Sequence, residues 1–202
     1  MFDENSINLN IAYRQIAILT KDWPNNFPDA LMEIRCIKSG KIKTIKFQPN
    51  NPSELEAALE TAKLNNEDGF CIYCLVNPSS PSATGSISDE HILGSKFNFA
   101  DADTEESFTS LQNAEIEPDF IVITGTEPHF RAHFYWELAE PVFELARWSL
   151  LQKDIAAFHG ADASIFNPSR IMRLAGFFTH PSPQKQSRGY QNEIVTLKEN
   201  SK

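Results

Sequence analysis

An α+β fold is predicted by three features of this 202-residue sequence. Short alternating or wholly apolar runs, which read as strands, are interleaved with a few runs of helical period. Their order lacks the regular strand-helix-strand repeat of a doubly wound sheet. The eight glycines form neither G-x-G-x-x-G nor G-x-x-x-x-G-K-[ST], the sole Gly-Lys pair, Gly40-Lys41, being followed by Ile42. A dinucleotide-binding fold and a P-loop motor are therefore not expected. At 41% hydrophobic and 22% charged residues the chain can bury one core. A single domain over 1–202 is expected, with a small N-terminal α/β lobe over 1–68 and a larger lobe over 69–198 that carries the candidate site.

The elements follow in chain order. Residues 31–36 and 41–47 alternate apolar and polar positions around Ser39-Gly40 and predict a hairpin. Most of its lysines would then share one exposed face. Ser53 and Glu56 have capping-box spacing, and Leu55, Ala58, Leu59 and Ala62 form one stripe, so a helix is expected over 53–65. Residues 69–76 read as a buried strand. The Ser- and Pro-rich stretch 77–89 reads as a long mobile loop. A strand over 96–102 leads into a short helix that Asp103 or Thr104 can cap. Strands follow at 119–124 and 130–138. A helix is expected from Pro141, with Val142, Leu145, Trp148, Leu151, Ile155 and Phe158 at helical spacing and Gly160 at its end. Residues 170–178 and 192–197 complete the strands.

The net charge of −9 argues at first against a nucleic-acid partner, but the average hides a segregation. Residues 34–53 hold five basic groups (Arg35, Lys38, Lys41, Lys43, Lys46) and no acid. Residues 97–130 hold eight acids and no Lys or Arg, and 163–191 hold Arg170, Arg173, Lys185 and Arg188 with no carboxylate. Solvated faces produce such runs. So does a cation site flanked by surfaces that bind phosphate. No apolar stretch has the length of a membrane span, and Met1-Phe2-Asp3-Glu4-Asn5 lacks the regions of a signal peptide. The cytoplasm is the expected compartment, with no membrane partner. Three cysteines form no disulfide framework, and on a strand Cys71 and Cys74 point to opposite faces, so no structural zinc is expected.

Asp101 and Asp103 end the apolar run Phe97-Asn98-Phe99-Ala100 on one strand face, where two carboxylates can hold the same hard cations. Asp103 equally suits a helix cap. His129 and His133 lie too far apart on a strand to share a metal. His133, flanked on its own face by Arg131 and Tyr135, suits an anion, and a satisfied core histidine is the alternative. Asp162 follows a helix, where acids commonly form turns. Arg170 and Arg173 stand in an apolar setting that calls for an anionic partner.

Taken in order, these segments resemble the catalytic domain of archaeo-eukaryotic-type primases, in particular the primase-polymerases of plasmids, phages and integrated elements. Residues 97–103 are similar to that family's first motif, and Ala132-His133-Phe134-Tyr135-Trp136 to its second. Gly160-Ala161-Asp162 with 169–177 is similar to the third motif and the arginine segment behind it. The spacing, 30 residues from Asp103 to His133 and 29 from His133 to Asp162, joins short motifs into one signal. Arg131 departs from the pattern, which has a small residue at that place. The resemblance covers residues 69–183 and implies an archaeo-eukaryotic primase-like core of mixed or antiparallel sheets with flanking helices. It implies template-directed nucleotidyl transfer on single-stranded DNA from nucleoside triphosphates, with two Mg²⁺ or Mn²⁺ ions held by Asp101, Asp103 and Asp162. His133 would contact the nucleotide phosphates, with Arg131, Arg170 and Arg173 beside it. Lys38, Lys41, Lys43, Lys46, Lys185 and Arg188 are the expected nucleic-acid track, and a replicative helicase domain or protein is a possible partner. The competing functions are a replication-initiator endonuclease, for which the His-x-His spacing is missing, and a catalytically inactive nucleic-acid-binding relative.

Overall fold

A computed structural model describes residues 6–200. Two four-stranded sheets carry the fold, helices pack around them, and every strand pairing is antiparallel. The elements run α1 (Leu9–Thr20), α2 (Trp23–Asn26), β1 (Met32–Lys38), β2 (Lys41–Phe47), α3 (Pro52–Glu67), β3 (Cys71–Leu75), β4 (Ser95–Ala102), α4 (Glu105–Gln112), β5 (Phe120–Gly125), β6 (Arg131–Val142), α5 (Leu145–His159), β7 (Ile171–Arg173), α6 (Pro183–Gln186) and β8 (Thr196–Glu199). The first sheet has the order β2-β1-β3-β7 and the second β4-β6-β5-β8. The boundary expected after residue 68 falls between α3 and β3, yet β3 pairs directly with β1, so both stretches build one sheet.

The hairpin forms as its sequence predicts. Lys38 pairs with Lys41, and Ser39 and Gly40 take φ of 45° and 79°, the positive values that a two-residue turn needs and glycine adopts freely. Helix α1 was not predicted. Its signal is the cap at Asn8, which accepts from the Asn10 N–H at 3.1 Å, followed by Ala12, Ile16 and Leu19 on one buried stripe. Helix α3 starts before the expected Ser53, because Asn51 accepts the Glu54 N–H and Pro52 occupies the first turn. Thr104 caps α4 by accepting the Ser107 N–H at 3.1 Å, so Asp103 is not spent as a cap.

Pro141 corrects the expected start of α5. It lies in β6, which extends to Val142 because that residue pairs with Ser95 beyond an irregularity in the register. The helix then starts at Leu145 and ends at Gly160. The strand expected over 170–178 shortens to Ile171–Arg173, and that over 192–197 shifts to Thr196–Glu199. Stretch 77–89 is tied down rather than mobile. Lys46 donates to the Ala83 carbonyl and Arg35 to that of Ile87, while the buried Glu33, paired with Arg35, accepts the Ile87 N–H.

The main core joins the inner faces of both sheets to α1 and α3, from Ile16, Leu19 and Leu59 through Ile34 and Cys74 to Phe97, Phe99, Phe120 and Tyr135. A smaller cluster, Ala100, Leu111, Ile121 and Phe134, fills the other side of the second sheet. Strand β4 is an edge strand, and α5 covers that edge with side chains. Trp148 Nε1 donates to the Phe97 carbonyl at 3.2 Å, while the Gln152 amide donates to the Phe99 carbonyl at 2.8 Å and accepts the Phe99 N–H at 3.3 Å. Gln152→Ala leaves two buried backbone groups unpaired. It is expected to cost about 3 kcal/mol and to lower the melting temperature by roughly 8 °C in a circular-dichroism melt. A drop below about 2 °C would show that β4 does not depend on this amide.

Candidate active site

The site grows from the register of the second sheet. Asp101 on β4 lies directly across from His133 on β6, which in turn lies across from Val122 on β5. Asp103 follows one residue beyond the end of β4, on the same side as Asp101 by strand alternation. Asp162 arrives from the turn after α5, where its N–H donates to the Asp101 carbonyl at 3.0 Å and its Oδ1 accepts the Ser164 N–H at 2.8 Å. One carboxylate oxygen of each of Asp101, Asp103 and Asp162 lies within 4.8 Å of the other two. All-oxygen donors of this kind suit Mg²⁺ or Mn²⁺. The fit has a second sign: Asp101 Oδ1 is buried without a hydrogen-bond partner among the described residues, with His133 Nε2 3.7 Å away.

Asp101 and Asp103 line a cavity of about 340 Å³ between the end of β4 and the face of the first sheet that carries Tyr73 and Arg173. Tyr73 and Arg173 are paired residues on β3 and β7, and the guanidinium lies 4.3 Å from the ring centroid. Arg170 precedes β7 and donates to the Ser164 carbonyl. Three residues lining this cavity each have a buried nitrogen without a partner among the described residues: His133 Nδ1, Arg170 Nε and Arg173 Nη1. A buried donor without a partner costs free energy unless a ligand satisfies it. A wider cleft of about 900 Å³ beside α5 is lined largely by apolar groups such as Leu138, Leu151 and Phe158. The smaller cavity is distinguished by its ionisable lining.

Burial, and then the neighbouring Asp103 and Asp162, push the Asp101 carboxyl up to about 8. Burial, and then Arg173, push the His133 imidazole down to about 3, so it is neutral at pH 7. Arg173 stays charged: burial opposes the charge, but Tyr73, Cys71 and Asp101 outweigh it. Desolvation lowers Arg170, with Asp162 the largest opposing influence.

The remaining expected residues divide by location. Arg131 lines the cavity, but its guanidinium donates to the Glu127 and His129 carbonyls and pairs with Glu193 at 3.3 Å. Lys185 lines the cavity, and Arg188 lies nearby with its guanidinium 5.4 Å from the Tyr190 centroid. The hairpin lysines split between two faces. Register places Lys38, Lys41 and Lys43 on the α3 side, where Lys38 donates to the Asp68 carbonyl and Lys43 to Asn65. Lys46 points to the face that bears Tyr73 and Arg173. The same alternation puts Cys74 in the core and Cys71 opposite, beside His180. His129 is not paired with His133; its Nε2 lies 2.9 Å from the Asp103 carbonyl oxygen. Sequence reasoning missed Tyr73 and Tyr190. Strand alternation places Tyr73 opposite Cys74 and could have found it, whereas Tyr190 was marked only by the basic residues around it.

Asp101 holds its proton more tightly folded than unfolded, so its contribution to stability is full below its ordinary value near 3.8 and is lost as the pH rises through about 8. His133 holds its proton less tightly folded, so it favours folding as the pH rises from about 3 towards 6.5. The two oppose each other below 6.5 and leave Asp101 alone between 6.5 and 8. Metal-free protein is therefore expected to melt lower at pH 8 than at pH 6.5. Asp101→Asn should flatten that slope and raise stability at pH 8 by about 2 kcal/mol, roughly 6 °C. An unchanged slope in the variant would assign the titration to another group.

No known family model and no curated protein matches the chain. Solved structures do. The archaeo-eukaryotic primase (AEP) domain of the cyanophage S-2L primase-polymerase aligns at a TM-score of 0.66 and 22% identity, over 96% of this chain and 91% of that one. The primase RepB′ aligns at 0.62 and 16% identity over 94% of this chain and 56% of that chain. The RepB′ catalytic domain in complex with initiator DNA aligns at 0.59 and 16% identity, over 94% and 85%. At such identities the likeness carries the architecture, and no helix among the described residues is long and apolar enough to cross a membrane. The chain has the fold of an archaeo-eukaryotic primase catalytic domain.

Proposed function

We propose that the chain is a template-directed nucleotidyltransferase, a DNA primase or primase-polymerase that makes or extends primers on single-stranded DNA. The observation that carries this reading is the convergence of Asp101, Asp103 and Asp162 within 4.8 Å, beside a cavity that Asp101 and Asp103 line together with His133, Arg170, Arg173 and Lys185. Those carboxylates would hold two Mg²⁺ or Mn²⁺ ions. Bound there, the ions would supply activation of a primer 3′-hydroxyl and stabilisation of the leaving pyrophosphate.

The chain's own residues do the rest. Neutral His133 can turn an N–H towards a phosphate oxygen without competing for charge with the carboxylates. Arg170 and Arg173 line the cavity, each with a buried nitrogen that has no partner among the described residues, and their guanidinium groups suit the triphosphate of an incoming nucleotide. The Tyr73 ring lies against the Arg173 guanidinium, 4.3 Å from centroid to group, and restrains it. Arg131, with donors already engaged, supports the cavity wall rather than contacting a phosphate itself. Lys46, on the face shared with Tyr73 and Arg173, suits the template better than Lys38, Lys41 and Lys43, which lie on the α3 side.

The test is incorporation of labelled nucleotide on a primed single-stranded template with Mg²⁺ or Mn²⁺. Extension is expected with at least one ion and none in a chelator. Asp101→Ala is expected to fall below about one thousandth of the parent rate, several kcal/mol of lost transition-state stabilisation, while keeping a cooperative melt. A folded parent protein that binds DNA and incorporates nothing with either ion would instead be a non-catalytic relative.

A further inference from the structure

At one edge of this site three cations gather on one ring, and only one of them has an ion-pair partner among the described residues. Three cations surround the Tyr190 ring: the Arg131 guanidinium lies 4.2 Å from its centroid, and Lys185 Nζ and the Arg188 guanidinium each lie at 5.4 Å. Glu193 answers Arg131 at 3.3 Å, but its carboxylate also accepts the Thr126 N–H and hydroxyl. Among the described residues neither Lys185 nor Arg188 forms an ion pair. An aromatic face attracts cations without cancelling their charge, so three of them around one ring still repel and favour an anion.

The group is built into the fold. Arg131 is 6% exposed, and it occupies space that a side chain at position 125 would need: a Cβ there would sit 1.9 Å from Arg131 Nη2. Gly125 thus leaves the room that the guanidinium against Tyr190 occupies. The ring is also linked to the backbone at Asp103, because His129 meets Tyr190 edge-on at 6.2 Å and places its Nε2 2.9 Å from the Asp103 carbonyl oxygen. Arg170 stands instead beside Asp162, bonded to the Ser164 carbonyl. The cavity therefore has two cationic groups, one associated with Asp103 and one with Asp162.

Nucleotidyl transfer joins two phosphate-bearing substrates at one cluster of carboxylates. We propose that the Tyr190 cradle binds a phosphodiester of the strand that supplies the 3′-hydroxyl, which leaves Arg170, Arg173 and His133 for the triphosphate. This assignment rests on the nucleotidyl-transfer reading above. Lys185 and Arg188 would touch phosphate, and Tyr190 is the positioning residue that holds them. The triphosphate of the nucleotide is the other source of the same chemistry, and the two arms of the test separate them.

Binding of a labelled primer-template DNA is read by fluorescence anisotropy in a chelator at several KCl concentrations, and binding of a labelled nucleoside triphosphate is read separately with Mn²⁺. Replacing Lys185 and Arg188 together by Ala is expected to weaken DNA binding about tenfold and to lower the salt slope by about 1.5, with nucleotide affinity within about twofold. Tyr190→Leu should lower DNA affinity several-fold, and Tyr190→Phe, which keeps the ring, should restore it. An unchanged DNA affinity and salt slope in the double variant would overturn the proposal. Lost nucleotide affinity with intact DNA binding would also overturn it and would move the cradle to the triphosphate. DNA binding is read without metal or turnover, so a protein that fails to polymerise still tests the cradle.

Discussion

The site depends on one backbone hydrogen bond, from the Asp162 N–H to the Asp101 carbonyl at 3.0 Å. Strand β4 has no neighbour on its outer edge, so its outward carbonyls at 97, 99 and 101 need partners from outside the sheet. Trp148 supplies the first, Gln152 the second and the turn after α5 the third. Helix α5 thus lies along β4 by answering its backbone, and the Phe99–Trp148 ring contact at 5.4 Å reinforces that placement. The turn at Gly160 then delivers Asp162 beside Asp101, although 61 positions separate them in the chain. Three carboxylates from two distant segments meet because an edge strand has been closed by a helix.

Meeting has an electrostatic cost, and the surroundings show how it is met. Burial and two neighbouring carboxylates make the Asp101 charge unfavourable, while Arg173 and Lys185 offset part of it. Divalent cations would offset the remainder. The net charge of −9 is a sum over segregated segments: acids gather near the carboxylate site and in the stretch after it, and basic groups gather on the hairpin and in 163–191. A neutral histidine and two arginines beside these acids form a surface poor in mobile charge and rich in directed donors.

Much of this was legible in the chain because the relevant signals are local. The hairpin at Ser39-Gly40, the acid pair at the end of Phe97-x-Phe99 and the helical stripe around Trp148 each depend on strand or helix period. Asp162 looked like an ordinary turn residue, because its importance comes from a hydrogen bond to a residue far away. The lysines on the hairpin were read as one face, yet the β1–β2 register turns Lys46 away from Lys38, Lys41 and Lys43. Pro141 suited a helix start on local grounds, but β6 needed that stretch to reach Ser95. Tyr190 shows the limit most clearly: its role follows from Arg131, Lys185 and Arg188 closing around it from separate segments.

Above all, the three aspartates are expected to form one divalent-cation site next to a nucleotide pocket. Crystals soaked with Mn²⁺ and a non-hydrolysable nucleoside triphosphate test it most directly, because anomalous scattering at the manganese edge locates the ions without reference to any assay. Anomalous density is expected bounded by oxygens of Asp101, Asp103 and Asp162, with the triphosphate reaching His133, Arg170 and Arg173. Manganese bound elsewhere, or a nucleotide seated away from this cavity, would contradict it.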